Sequence, residues 1–188
     1  MSWQGASWLT RPERELEEQP DRMIRALHLL PGQTVADVGA GVGYHAWRLA
    51  ARVGPTGTVY ATDIQKEMLE LLKENMARHD VHTVVPVLAT AEGTGLPDGA
   101  VDLALLVDVY HEAPDPQAFL RQLRRALKPS GRLALVEFRA EDPDVPIQPE
   151  HKMTADQVIA ELALGGFRLA ERYEFLPWQH LLVFVPVQ

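Results

Sequence analysis

The chain predicts an α/β domain built on a doubly wound sheet of seven strands, the last of them antiparallel. Three observations predict it. Apolar runs of strand length alternate with helix-period segments over most of the 188 residues. A turn with glycine at every second position, Gly39-Ala40-Gly41-Val42-Gly43, joins the first run to a helix. An acidic residue, Asp63, closes the second run 20 residues beyond Gly43. The length suits one domain with a full core.

Residues 1–19 stand apart by composition. Trp3, Trp8 and Leu9 lie in a stretch carrying Arg11, Glu13, Arg14, Glu15, Glu17 and Glu18. Two tryptophans ahead of the core predict a segment that folds back on the domain of residues 20–188, either as a lid or as simple packing. Pro20-Asp21 opens a helix in which Met23, Ile24, Leu27 and Leu30 recur at helical spacing, and Pro31-Gly32 ends it. The strand 34–38, the glycine turn and a helix over 45–53 follow. Gly54-Pro55-Thr56-Gly57 then turns the chain into the strand 58–63. Met68, Leu71, Leu72 and Met76 make an apolar stripe on a helix over 65–79.

Val84–Leu88 reads as an edge strand because it tolerates Pro86. Residues 90–99 hold too much glycine for a helix and lead into the strand 101–107. Asp115-Pro116 starts a helix as N-cap and first helical residue, with Phe119, Leu120, Leu123 and Leu127 on its buried face. Lys128-Pro129-Ser130-Gly131 is the turn into a fifth strand, 132–138. A proline-bearing loop covers 139–153, long enough to suspect a working role. Thr154-Ala155-Asp156-Gln157 has the form of a capping box, and its helix ends at Gly165-Gly166. A hairpin of strands 167–175 and 180–186 finishes the sheet.

The glycine turn is the center of the reading. Glycine at 39, 41 and 43 permits a sharp bend and lets a ligand touch the main chain, and the helix behind offers unpaired N–H groups. A dinucleotide fingerprint begun at Gly39 needs glycine at position 44, where this chain has Tyr44. Asp37-x-Gly39-x-Gly41-x-Gly43 instead resembles motif I of the class I S-adenosylmethionine (SAM)-dependent methyltransferases, whose Rossmann-like sheet has this order of elements. The resemblance covers residues 20–188. It implies SAM as cofactor, with its amino acid end held by Asp37, Gly39, Ala40, Gly41 and Gly43. It places Asp63 and Ile64 at the ribose, Ala91 and Glu92 at the adenine, and Val107 and Asp108 near the sulfonium. Asp63 also suits a helix N-cap, and the two roles are compatible.

Composition removes other classes. The net charge is -8, from 26 acidic against 18 basic residues, so a polyanion is repelled on average. Arg121, Arg124, Arg125 and Lys128 are the basic cluster, on one predicted helix and its end. No Asn/Asp-Pro-Pro-Tyr phrase of the nucleic-acid base methylases follows the fourth strand, which points to a small-molecule acceptor and away from nucleic acid. The absence of cysteine excludes disulfides and thiolate chemistry and agrees with a cytoplasmic location. The start of the chain is too polar for a signal peptide, and no apolar run matches a membrane span. A monomer or a homodimer is expected.

Topology brings the fourth strand's end, the loop after the fifth and the start of the last strand to one edge. His111, His151 and His180 are therefore expected to converge there as catalytic candidates. One use is a general base; another is a shared divalent metal with Asp108, Glu141 or Asp142, and the choice stays open. Trp8, Trp178 and Tyr110 are candidate walls. Two rivals to a methyltransferase remain: an NAD(P)-dependent oxidoreductase, which the misplaced third glycine opposes, and a SAM-binding scaffold or sensor without turnover.

Overall fold

The computed structural model describes residues 2–90 and 93–187. The sheet has the order β3-β2-β1-β4-β5-β8-β7, from strands β1 (Thr34–Val38), β2 (Thr58–Asp63), β3 (Val84–Leu88), β4 (Val101–Val107), β5 (Leu127–Arg139), β7 (Phe167–Tyr173) and β8 (Gln179–Pro186). A two-residue strand, β6 (Lys152–Met153), pairs with the end of β5. The first five strands run parallel, while β8 is antiparallel to both β5 and β7. The expected seven strands are thus present, with β6 as an eighth inside the predicted loop 139–153.

Alternation along the central strands builds two cores. Val35, Leu103 and Leu105 join one cluster, whereas their neighbours Ala36, Ala104 and Leu106 join the other. Side chains two apart face one way, so strands covered on both sides read as continuous apolar runs. The first cluster is closed by α2 (Pro20–Ala26), α3 (Ala46–Val53) and α4 (Lys66–Arg78). The second is closed by α5 (Pro116–Ala126) and α6 (Ala155–Leu164). The caps follow the expected chemistry: Asp115 accepts from the Ala118 N–H at 2.9 Å and Thr154 from the Gln157 N–H at 3.1 Å.

Two local expectations change. The first helix ends at Ala26, not Leu30, and Leu30 is exposed. Residues 128–131 are an excursion inside β5 instead of a turn before it: Val101 pairs with Leu127 and Leu103 already with Arg132. Extra residues on one strand of a pair bulge outward without ending the ladder. Among the described residues no helix is long and apolar enough to cross a membrane.

The sheet order reverses between β1 and β4. Ligands in doubly wound sheets lie outside the carboxyl ends of the strands at that point. Ahead of β1, a 3-10 helix (Trp3–Thr10) and α1 (Arg14–Glu18) lie against the same edge. The Trp3 N–H donates to Gln65 Oε1 at 2.8 Å, and Glu15 takes bonds from Tyr44 and Arg48.

Candidate active site

The end of β1 runs into a turn in which Gly39, Gly41 and Gly43 all have positive φ, at 72°, 53° and 77°. Side chains favour neither that conformation nor that space. A Cβ on Gly39 would sit 2.5 Å from Val109 Cγ2, and one on Gly41 would sit 3.0 Å from Leu9 Cδ1. One β-strand over, Asp63 fixes the turn: its Oδ2 accepts the Gly41 N–H at 2.9 Å and its Oδ1 the Gln65 N–H at 2.8 Å. Asp63 therefore holds both the glycine turn and the start of α4. Burial pushes its carboxyl up, against the pull of these backbone donors.

Asp37 is 2% exposed and its Oδ2 has no partner. Burial pushes its carboxyl up to about 7, with Asp63 adding to the rise and the Arg14 guanidinium opposing it. Asp108, at the end of β4, combines three unusual features. Its φ is +54°, a left-handed conformation seldom adopted by a non-glycine residue. Gln179 Nε2 donates to both its oxygens, at 3.0 and 2.8 Å. Burial, then Glu18 and Glu137, hold its carboxyl well above the usual range.

Among these acids sits Arg14, which sequence reasoning passed over. It is buried, donates to Glu18 Oε1 at 2.7 Å and to the Leu9 carbonyl at 2.8 Å, and attracts Asp37 and Asp108. Its Nη2 is 3.5 Å from Nε2 of His45, another residue not singled out beforehand. Burial, then Arg14 and Arg48, hold that imidazole well below its ordinary value, so it is neutral. Leu9, Arg14, Asp37, Ala40, His45 and Val107 are among the residues lining a cavity of about 50 Å³. Ligand pockets run from about 300 Å³ upward. Leu9 and Arg14 thus take up part of the crevice, and the sequence carries a signal for this, an Arg-x-x-x-Glu pair among apolar anchors.

The histidines separate into two groups. His111 Nδ1 lies 2.7 Å from Glu137 Oε2, and His111 Nε2 lies 3.1 Å from His151 Nδ1. Glu137 is 1% exposed and its Oε1 also accepts the Tyr110 N–H at 2.8 Å. Burial pulls the His111 imidazole down, but the bond to Glu137 and its charge outweigh this and the net shift is up. His180 does not join them. Its Nδ1 faces Glu174 at 2.8 Å and its Nε2 faces Glu141 at 2.9 Å, so two nearer carboxylates take both nitrogens. Glu141 is committed elsewhere as well, accepting the Ala155 N–H at 2.8 Å, and Asp108 is held by Gln179. Neither joins the histidine pair.

Tyr110 is core, 1% exposed in the second cluster, and not a pocket wall. Trp8 remains 40% exposed with Arg11 stacked 3.6 Å from its ring centroid. Ile64 is exposed beside Asp63. Ala91 and Glu92 lie outside the described residues.

A glycine turn at the switch point, an acid closing the next strand and a carboxylate-rich crevice define the class I SAM-dependent methyltransferase architecture. Residues 36–135 match the family model described as a methyltransferase domain, and the chain belongs to that family. Among solved structures, a SAM-dependent methyltransferase from Aquifex aeolicus is 28% identical with a TM-score of 0.94, covering all of both chains. An arsenite methyltransferase of Halobacterium salinarum is 30% identical over 153 residues, 76% of this chain and 39% of its own length. A ubiquinone/menaquinone biosynthesis C-methyltransferase of Cupriavidus metallidurans is 34% identical over 115 residues, 61% of this chain and 47% of its own. The chain spans about half the length, or less, of these curated relatives.

The residues present fit the family's cofactor. Asp37 Oδ2 is a buried acceptor lacking a donor, and three acids, Glu18, Asp37 and Asp108, share the cation Arg14. Such a site favours a ligand bringing positive charge.

Proposed function

We propose that the chain transfers a methyl group from SAM to a small-molecule acceptor. The observation that carries this reading is the junction of Asp63 with the Gly41 N–H beside the unpartnered Asp37. Together these residues form a clasp for a nucleoside carrying an ammonium group. Asp37 and the backbone of Gly39, Ala40, Gly41 and Gly43 would hold the amino acid end. Asp63 would accept the ribose hydroxyls through lone pairs not used by Gly41 and Gln65, with exposed Ile64 against the ring system. Ala91 and Glu92 would face the adenine.

When bound, SAM supplies a methyl on a sulfonium; the acceptor's lone pair forms the new bond to that carbon while the carbon–sulfur pair returns to sulfur, leaving S-adenosylhomocysteine (SAH). Asp108 and Val107, at the end of β4, would flank the reacting centre. His111, anchored by Glu137, would stand beside the acceptor to orient it or take its proton. His151 extends that edge. His180, enclosed by Glu141 and Glu174, would act through the position of Gln179, its neighbour and the donor to Asp108.

Residues 1–19 would serve as a lid whose Leu9 and Arg14 withdraw as the cofactor enters. The small-molecule part rests on the acidic balance and on the pairing of the basic cluster, with Arg125 on Asp98 and Lys128 on Asp102, both at 2.7 Å. A trivalent metalloid acceptor would find no thiolate on this chain.

Calorimetry with SAH, followed by transfer of labelled methyl from SAM to a panel of phenols, thiols, amines and arsenite, tests the proposal. Binding with transfer to one class supports it. Tight SAH binding with no transfer to any member favours a sensor, and no SAH binding removes the reading.

A further inference from the structure

The pairing of His111 with His151 has a geometry that a simple hydrogen bond does not require. Two short 3-10 turns, Tyr110–Glu112 after β4 and Pro149–His151 after β5, meet at the carboxyl edge of adjacent parallel strands. Each brings one imidazole. Among the described residues, one ligand atom from each of His111, Glu112 and His151 lies within 4.8 Å of the others.

Glu137 decides which nitrogen of His111 is offered. It is a fully buried carboxylate in the otherwise apolar run Leu133–Phe138, a placement that costs free energy unless the charge is used. Its two oxygens are fixed by the Tyr110 N–H and by His111 Nδ1. The proton of His111 therefore sits on Nδ1, and the lone pair of Nε2 points out toward His151. Metal-binding histidines are oriented by carboxylates in this way. Two nitrogens at about 2.0–2.1 Å from a tetrahedral ion are separated by about 3.3 Å. The observed 3.1 Å is close to that value.

We propose that His111, Glu112 and His151 bind one divalent first-row transition ion of the zinc type, whose remaining position takes a hydroxyl or thiol of the methyl acceptor. The acceptor half of this inference rests on the methyltransferase reading; the ion site does not. Two neutral imidazoles and one carboxylate leave a net charge of about +1 on the ion, and three protein ligands leave it an open position. Coordination lowers the pKa of the acceptor's O–H or S–H, and the proton passes to solvent. The heteroatom's pair then bonds to the methyl carbon, the carbon–sulfur pair returns to sulfur, and the ion keeps its oxidation state. Glu112 and His151 are exposed, so the open position is reachable from outside.

Cobalt(II) is the probe. The full chain is titrated with Co²⁺ and followed in the visible range, with SAH calorimetry and circular dichroism on the same samples. The wild type should take one Co²⁺ per chain and show the strong d–d bands of a low-coordinate site. His151→Ala should weaken Co²⁺ by 100-fold or more with SAH affinity held within about twofold. Glu137→Gln loses the charge and leaves one acceptor oxygen for two donors, the Tyr110 N–H and the His111 Nδ1–H, and should weaken Co²⁺ by about 10- to 100-fold. Benzenethiol or phenol should shift the bands.

Failure to bind Co²⁺ in stoichiometric amount, or binding that His151→Ala leaves unchanged, overturns the ion site, and retained SAH binding then leaves the methyltransferase reading standing. His151-dependent Co²⁺ binding without SAH affinity supports the ion site and overturns the cofactor reading. Bands that neither benzenethiol nor phenol moves overturn the acceptor half.

Discussion

Replacing Asp37 by Asn should stabilise the protein and weaken its hold on the cofactor. Asp37 is buried, one oxygen lacks a partner, and its carboxyl is pushed from 3.8 to about 7. For an acid with a raised folded-state value, folding favours the protonated form. Stability from this group is complete below about pH 4, declines as pH rises toward 7, and is flat above that. The difference of about 3 units, at 1.36 kcal/mol each, sets an upper scale of about 4 kcal/mol. Asn mimics the protonated acid at every pH. Urea denaturation at pH 4, 5.5, 7 and 8 should therefore show the variant equal to wild type at the acid end and more stable by up to about 4 kcal/mol at pH 8. Calorimetry at pH 8 should show SAH weakened by about 1.5–3 kcal/mol, the scale of a hydrogen bond to a charged group. A stability gap that does not change with pH, or a variant less stable than wild type at pH 8, would refute the assignment of a strained, ionised Asp37.

Asp63→Ala should weaken SAH by about 1.5–3 kcal/mol in calorimetry, since Asp63 would face the ribose as well as the Gly41 N–H; unchanged affinity excludes the ribose role. His111→Ala should lower turnover of labelled SAM with SAH affinity nearly intact, and a fully active variant would take His111 out of the mechanism. Leu105→Ala, in the center of the sheet, should cost about 2–5 kcal/mol of unfolding free energy in urea. A smaller loss would mean that the site collapses around the deletion. Amide exchange across residues 3–18 should change on adding SAH, because a cavity of about 50 Å³ admits no cofactor until Leu9 and Arg14 move; identical exchange with and without SAH excludes the lid.

The parts of the fold visible in the sequence were those carried by short-range rules. Alternation, caps and glycine spacing locate β1, the turn, β2 and Asp63, because each depends on neighbours a few residues away. In the sequence the excursion at 128–131 reads as a turn, since Pro129 and Gly131 signal a bend whether or not the ladder resumes around it. The convergence of the histidines was a topological inference, and topology brings strand ends together without aiming side chains. His180 opens β8 at the expected edge, yet Glu174, across the hairpin, and Glu141 hold its ring. Glu137 was missed although it left a mark: one carboxylate in the run Leu133–Phe138 needs a partner. Arg14 was missed because its contacts, His45 and the acids of β1 and β4, are set by how an irregular segment folds back.

Those acids explain why the segment folds back as it does. Glu18 and Asp37 are buried at the switch point with the half-buried Asp108 beside them, and acids so placed either take up protons or find a cation. Arg14 is that cation, held by Glu18 and the Leu9 carbonyl. An entering ammonium and sulfonium would bring the same charge to the same acids. On the proposed reading, cofactor binding would be an exchange of one cation for another, in which Arg14 would be rehoused as Leu9 leaves Gly41. The free energy of seating SAM would accordingly be reduced by whatever holds Arg14 in place. Arg14→Ala removes the internal competitor but leaves three acids without a counter-charge. Its SAH affinity thus reports which effect is larger: tighter binding means that Arg14 mainly blocks the site, and weaker binding means that the acids need the counter-charge Arg14 supplies.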